Sequence, residues 1–249
     1  MGSRFFRKTN ASELVKKFVI KNVMERSLVC EGDRILIAVS GGKDSSVLAW
    51  ALSAIRPALK FNYELAALHI STDFCSCCKK TALMQRLKEW DIPFTDLFVP
   101  VIGRLKEGEK MNCYWCSTQR RMELIKFATE NKFNKIALGH HLDDIIETFF
   151  MNLFQKGEML AMPVRLKYRK FPVTLIRPLA LLEEKQIIDC AKNQNILKTA
   201  CTCPYGQNSN RRKIRSRIAD FIAEKESGEV KLRILKALGE GKIDYLVDD

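Results

Sequence analysis

Residues 35 to 45 read Ile-Leu-Ile-Ala-Val-Ser-Gly-Gly-Lys-Asp-Ser, and this run constrains the fold more than any other. Its first half is short, apolar on both faces and rich in β-branched residues, the pattern of a strand inside a parallel sheet. The glycines Gly41 and Gly42 then let the backbone approach a ligand closely. The helix expected from about Ser45 to Ile55 points unpaired N–H groups and a positive dipole end at the same spot. Strand, glycine turn and helix in that order make an anion site. Ser40 and Ser45 add hydroxyl donors, Lys43 adds a cation, and Asp44 suits a magnesium ion bound to phosphate. The segment is neither the G-x-x-x-x-G-K-[ST] phosphate loop nor the G-x-G-x-x-G dinucleotide turn. From these residues alone it also reads as an ordinary βα turn with Ser at the helix cap.

The rest of the chain repeats the alternation of short apolar runs and longer amphipathic stretches that marks βα units. Strands are expected at 65 to 70 (LAALHI), 94 to 100 (FTDLFVP), 135 to 141 (KIALGHH) and 173 to 180 (VTLIRPLA). Helices are expected at about 11 to 28, 117 to 131, 143 to 154, 183 to 194, 211 to 225 and 228 to 239. The expected architecture is α/β, an open, mostly parallel five-stranded sheet with helices on both faces. Residues 1 to 30 and 226 to 249 are expected as helical extensions of a main domain at 31 to 225. No run approaches the about 18 apolar residues of a membrane span, so no membrane partner and a cytoplasmic location are expected. The chain has 249 residues, with 42 Lys and Arg against 29 Asp and Glu, a net charge of +13. Such an excess favours a polyanionic partner, although surplus lysine is also found on ordinary solvated surfaces.

A second segment, Gly139-His140-His141-Leu142-Asp143-Asp144, ends another apolar strand. Ligands of open α/β sheets bind beyond the carboxyl ends of strands, where both segments fall. The two histidines and two acids read as a metal site or as a helix cap by Asp143 or Asp144. The nine cysteines form a third signal. Cys113-Tyr-Trp-Cys116 can chelate zinc, hold part of an iron–sulfur cluster or form a redox dithiol. Its possible completing partners are Cys201-Thr-Cys203 and the run Cys75-Ser-Cys77-Cys78. The run at 75 to 78 reads either as three partly buried loop thiols or as a sulfur relay or extra ligand set. Cys30 and Cys190 read as structural.

The order Ser-Gly-Gly-x-Asp-Ser resembles the PP-loop of the ATP-pyrophosphatases. Together with CYWCSTQRR, LGHHLDDIIETFFMNLF, Met162-Pro163, IRPLA and a late cysteine before a basic helix, it resembles the TtcA-like group of tRNA thiolases from about residue 12 to 222. That resemblance implies an adenine nucleotide α-hydrolase-like fold and ATP cleaved between its α- and β-phosphates at Ser40, Gly41, Gly42, Lys43, Asp44 and Ser45, with Asp44 on magnesium. It adds Gly139, His140, Asp143, Asp144 and Arg177 to the nucleotide site, and places Lys43, Asp44 and Cys203 in the catalytic machinery. It further implies a [4Fe-4S] cluster on Cys113, Cys116 and Cys203. Cys201 is a rival third ligand, because this chain has C-x-C where the best-known members have C-x-x-C.

The implied reaction adenylates a pyrimidine C2 carbonyl, cytidine in the tRNA anticodon loop, and replaces its oxygen with sulfur from a cysteine desulfurase or free sulfide. A homodimer is the assembly to test. For Arg177 and Lys43 the phosphate role stands beside simple pairing with Asp or Glu. The expected RNA surface comprises Arg120, Arg121, Arg165, Lys167, Arg169, Lys170, Arg211, Arg212, Lys213, Arg215 and Arg217. The alternatives are a PP-loop enzyme that makes 2-thiouridine or another tRNA modification, with zinc or no metal, and a non-enzymatic RNA-binding protein.

Overall fold

The computed structural model describes residues 10–74, 80–196, 214–216, 218 and 227–240. Six strands form one sheet: β1 (Asp33–Ala38), β2 (Tyr63–Thr72), β3 (Phe94–Val99), β4 (Lys135–Ala137), β5 (Arg165–Lys167) and β6 (Thr174–Ile176). Their order across the sheet is β3-β2-β1-β4-β6-β5, parallel except for β5, which runs antiparallel to β6. The helices are α1 (Ala11–Glu25), α2 (Lys43–Ala54), α3 (Lys80–Glu89), α4 (Cys113–Glu130), α5 (Leu142–Lys156), α6 (Glu184–Asn193) and α7 (Ser227–Glu240).

The central position of β1 follows from its composition. Ile35, Leu36 and Ile37 are fully buried, and the pleat sends them to opposite faces. Ile35 and Ile37 join the core under α1, α2 and α6, while Leu36 joins Leu68, Ile136 and Leu175 under Ile125 and Ala128 of α4. A third apolar cluster joins Leu142 and Ile146 of α5 to Ile214 and Ile218 and to Val230, Ile234 and Leu235 of α7.

Five departures from the expected elements stand out. The sheet has a sixth strand, because β5 is a short edge strand of charged and exposed residues that lacks an apolar alternation. Helix α3 went unexpected because it buries only the pair Leu83 and Leu87 on an otherwise polar stretch. Strand β4 stops at Ala137, so Gly139, His140 and His141 lie in the loop before α5. Helix α1 was expected in an extension, yet Val15, Val19 and Val23 are fully buried in the main core. The helices expected at 117 to 131 and 143 to 154 begin earlier, at Cys113 and Leu142.

In this topology each crossover helix runs back against its strands, so the amino ends of α2, α4, α5 and α6 gather at the carboxyl edge of the sheet. The register pairs Ile37 with Ala137 and Ala137 with Ile176. Ser40, Gly139 and Arg177 therefore leave three adjacent strands at nearly the same height. Helix α1 braces this edge from below. Fully buried Asn22 donates from Nδ2 to the carbonyls of Arg177 (3.0 Å) and Pro178 (2.9 Å). Asn22→Ala would leave both carbonyls without that donor. It is expected to lower stability by about 1–3 kcal/mol in urea unfolding, with the dependence on urea unchanged. An unchanged midpoint would show that the brace is dispensable.

Candidate active site

The loop after β1 is shaped by its own side chains. Gly41 has φ +81°, a left-handed conformation that glycine adopts without strain. The Ser40 N–H donates to Ser45 Oγ (3.2 Å), the Gly42 N–H to Ser40 Oγ (3.4 Å), and Ser45 Oγ and Ser46 Oγ to the Gly42 carbonyl (3.1 and 3.0 Å). Buried His69, on β2, holds the entrance of the loop through its Nδ1, 2.7 Å from the Val39 carbonyl. Gly42 is the N-cap of α2 and supplies no side-chain acceptor, so the first turn keeps backbone N–H groups for an anion.

The second loop is pressed against the first. A Cβ placed on Gly139 would stand 3.0 Å from the Ser45 nitrogen and 3.1 Å from the Asp44 carbonyl carbon. Those atoms belong to the backbone of α2 and cannot swing aside. Glycine is therefore what lets the Gly-His-His loop touch the start of α2, and the two sequence segments form one site. His141 is the buried N-cap of α5 in a capping box with Asp144, whose Oδ2 accepts the His141 N–H at 3.1 Å. Asp144 thus does the capping. Asp143 Oδ2 accepts the Glu184 N–H (2.7 Å), and its Oδ1 accepts from Lys231 Nζ (2.6 Å).

Around this junction, cations alternate with carboxylates. Lys43 Nζ lies 3.0 Å from Asp44 Oδ1 and 2.8 Å from Glu184 Oε1. Arg215 pairs with Glu147 and, at 3.0 Å, with Glu184 Oε2. Lys231 joins Asp143 to Glu183 (3.0 Å). Burial would depress the Lys43 ammonium, but its hydrogen bonds to Glu184 and Asp44 outweigh that and raise its pKa. Burial likewise pushes Asp143 up, yet bonds from His141 and Lys231 hold it far below the usual carboxylate range. His141 is raised: the bond to Asp143 and the charges of Asp144, Asp44 and Asp143 overcome its desolvation.

Glu147, Glu183, Glu184 and Lys231 were not picked out as site residues from the sequence. The available signal was the pair Glu183 and Gln186 framing the start of α6 as a capping box. Arg215, expected on the RNA surface, is instead committed to two carboxylates.

Arg177 makes no ion pair among the described residues. It donates to His140 Nδ1 (3.3 Å) and to the Pro163 carbonyl, and Asp144 acts on it only from a distance. Burial first, and then the charge of Arg121, lower its pKa to about 10. Among the described residues this buried guanidinium has no carboxylate beside it, an arrangement suited to receiving an anion. For Lys43, pairing with Asp44 and Glu184 is what the structure shows.

Cys113 and Cys116 occupy the first turn of α4 and are not disulfide-bonded. They stand one turn apart on one face, Cys113 exposed and Cys116 half-buried. Trp115 fixes this turn by donating from Nε1 to the Val101 carbonyl (3.0 Å) and packing with Val99 and Val101. The N-cap Asn112 accepts the Trp115 N–H at 2.9 Å. Cys75, Cys77, Cys78, Cys201, Cys203, Arg211, Arg212, Lys213 and Arg217 lie outside the described residues. Among those described, no three His, Cys, Asp or Glu side chains gather as a metal centre. Cys190 is buried, with its thiol pushed up to about 11 by desolvation, whereas Cys30 is exposed.

A parallel sheet with a Ser-Gly-Gly-Lys-Asp-Ser anion loop at its carboxyl edge is the architecture of PP-loop nucleotide enzymes. The chain belongs to the PP-loop domain family, which spans residues 9–222. Within that family it is similar to the tRNA-cytidine(32) 2-sulfurtransferase of Geobacter sulfurreducens, 33% identical over 94% of this chain and 92% of that one. It is also similar to the enzyme of the same name from Coxiella burnetii, at 32% identity over 93% and 91%. Among solved structures it resembles the U34-tRNA thiolase NcsA of Methanococcus maripaludis, solved with its [4Fe-4S] cluster. That match has a TM-score of 0.76 and 25% identity, and covers 95% of this chain and 80% of that one. The NMN synthetase of Francisella tularensis shares the fold, with a TM-score of 0.52 at 16% identity, covering 98% of each chain.

Two outcomes follow from the geometry. Gly139→Ala forces two backbones apart and is expected to cost about 1–3 kcal/mol in urea unfolding; full parental stability would mean that the loops separate freely. Because the folded pKa of His141 is raised, its stabilisation is complete below about 6.5 and is lost as pH rises through the folded value. Unfolding free energy measured across that window should fall in the parent and stay flatter in His141→Asn, which keeps a capping side chain. Parallel curves would refute the assignment.

Proposed function

We infer that this chain is an ATP-dependent tRNA thiolase that exchanges the C2 oxygen of a pyrimidine, cytidine in the anticodon loop, for sulfur. The observation that carries the reading is that one edge of the sheet presents both the anion loop at α2 and the Cys113/Cys116 turn at α4. Nucleotide activation and sulfur chemistry then share a single surface.

The loop N–H groups, Lys43 and Arg177 bind the triphosphate. Among the described residues, Asp44 Oδ1 is buried and accepts no hydrogen bond, standing beside Lys43 as a bare ion contact. A hard anionic oxygen of this kind fits magnesium shared with phosphate oxygens. The C2 carbonyl oxygen of the target base attacks the α-phosphorus, and pyrophosphate leaves against the loop, whose donors stabilise its charge. The oxygen is now part of a phosphate ester and can depart with AMP when sulfur adds at C2.

Two thiols one turn apart at a helix amino end fit two ligands of a cluster. The third is Cys203, with Cys201 as its rival. A [4Fe-4S] cluster bound there supplies a soft metal site for delivering sulfur, itself drawn from a cysteine desulfurase or free sulfide. Tyr114, between the cysteines and 82% exposed, offers a stacking face for a splayed base. Arg120, Arg121, Arg165, Lys167, Arg169 and Lys170 lie near this edge or on the β5 side and suit the RNA backbone. A tRNA substrate also supports the cytoplasm as the place of action. Identity above 30% to cytidine enzymes, against 25% to a uridine enzyme, supports cytidine over uridine.

The test is anaerobic purification of the full chain, with iron, sulfide and zinc assayed and with 2-thiocytidine measured by mass spectrometry after incubation with ATP, tRNA and sulfide. About four irons are expected in the parent, with loss of both iron and product in Cys113→Ala and Cys116→Ala. A colourless protein holding stoichiometric zinc, or pyrophosphate release indifferent to tRNA, would overturn the reading.

A further inference from the structure

Glu184 is shared. Its Oε1 is 2.8 Å from Lys43, its Oε2 is 3.0 Å from Arg215, and its backbone N–H donates to Asp143 at 2.7 Å. The residue therefore joins the anion loop, the start of α5 and the helical residues around 215. Lys43 is doubly held by Asp44 and Glu184 with its side chain 19% exposed, so it must give up at least part of this pairing to reach a phosphate. Whether it does so depends on how strongly Glu184 retains it. When Lys43 leaves, Glu184 becomes a bare carboxylate beside an incoming polyphosphate unless another cation neutralises it. Arg215 is placed to do this, since it already holds the second oxygen of Glu184 as well as Glu147.

We propose that Glu184 and Arg215 are positioning residues for the nucleotide step: Arg215 neutralises Glu184 and so releases Lys43 to the phosphates. The proposal rests on the reading of the β1–α2 loop as an ATP site. Counting Lys43, Asp44, Glu184, Glu147 and Arg215, the cluster carries two positive and three negative charges. Removing Arg215 leaves one positive charge against three negative ones, so the incoming nucleotide meets added repulsion and a more tightly held lysine. Removing the charge of Glu184 should undo both effects. A role for Arg215 as a plain structural tie, or as a direct phosphate ligand, has no such compensation.

The experiment measures binding of magnesium–ATP to the full chain by calorimetry at low ionic strength, for the parent, Arg215→Met, Arg215→Lys, Glu184→Gln and the double variant Arg215→Met/Glu184→Gln. Melting temperatures are recorded alongside to confirm folding. Expected are an affinity about tenfold weaker in Arg215→Met, a smaller loss in Arg215→Lys, and a return to within about twofold of the parent in the double variant. Glu184→Gln alone should bind at least as tightly as the parent, and in turnover Arg215→Met should raise KM for ATP more than it lowers kcat.

A parental affinity in Arg215→Met, a double variant as weak as Arg215→Met, or abolished binding in Glu184→Gln would each overturn the proposal while leaving the ATP site standing. A parent chain that binds no ATP would instead remove the ATP site, and the proposal with it.

Discussion

The site depends on one bare backbone contact. Gly139 has nothing beyond its α-carbon to hold the two loops apart, so the chain leaving β4 lies directly on the first turn of α2. The register fixes the height of three strand ends, and the absent side chain lets the loop after β4 come within van der Waals contact of the first turn of α2. Dipole ends and backbone donors of α2 and α5 consequently face the same small volume, where they act together on an anion.

Such a focus of positive potential would be costly to maintain empty. The structure answers with interleaved carboxylates. Asp44, Asp143, Glu147, Glu183 and Glu184 lie among Lys43, Arg215 and Lys231, so each of these cations is paired over a short distance and remains ionised. Arg177 is the exception, a buried guanidinium satisfied by an imidazole nitrogen and a carbonyl. The site thus combines a rim of paired cations and carboxylates with one buried guanidinium that makes no ion pair among the described residues.

Much of this was legible in the sequence, and the reasons are physical. Strand β1 announces itself because a strand covered on both faces must be apolar throughout. The Ser-Gly-Gly-Lys-Asp-Ser and Gly-His-His-Leu-Asp-Asp segments stand out because close backbone approach demands glycine and because polar residues at strand ends are conspicuous. Edge strand β5 and helix α3 escaped notice because neither buries enough to impose a period. The roles of Glu184, Arg215 and Lys231 could not be read either: their ion pairs join residues 31 to 141 positions apart, and local pattern carries no information on which distant partner a charged side chain will meet. The same holds for α1, whose apolar stripe was visible but whose partner, α6, was not.

That last pairing bears on how the molecule is made. Asn22 meets Arg177 and Pro178 across 155 and 156 positions, and Ser12 meets Cys190 and Gln194 across 178 and 182. Helix α1 must therefore wait for α6, synthesised some 160 residues later, before its apolar stripe is covered. Contacts of such long range make folding slow and leave surface exposed on the nascent chain. A chain interrupted before α6 would lack the partner of α1 as well as Glu184, so an incomplete product would be marked by an uncovered α1.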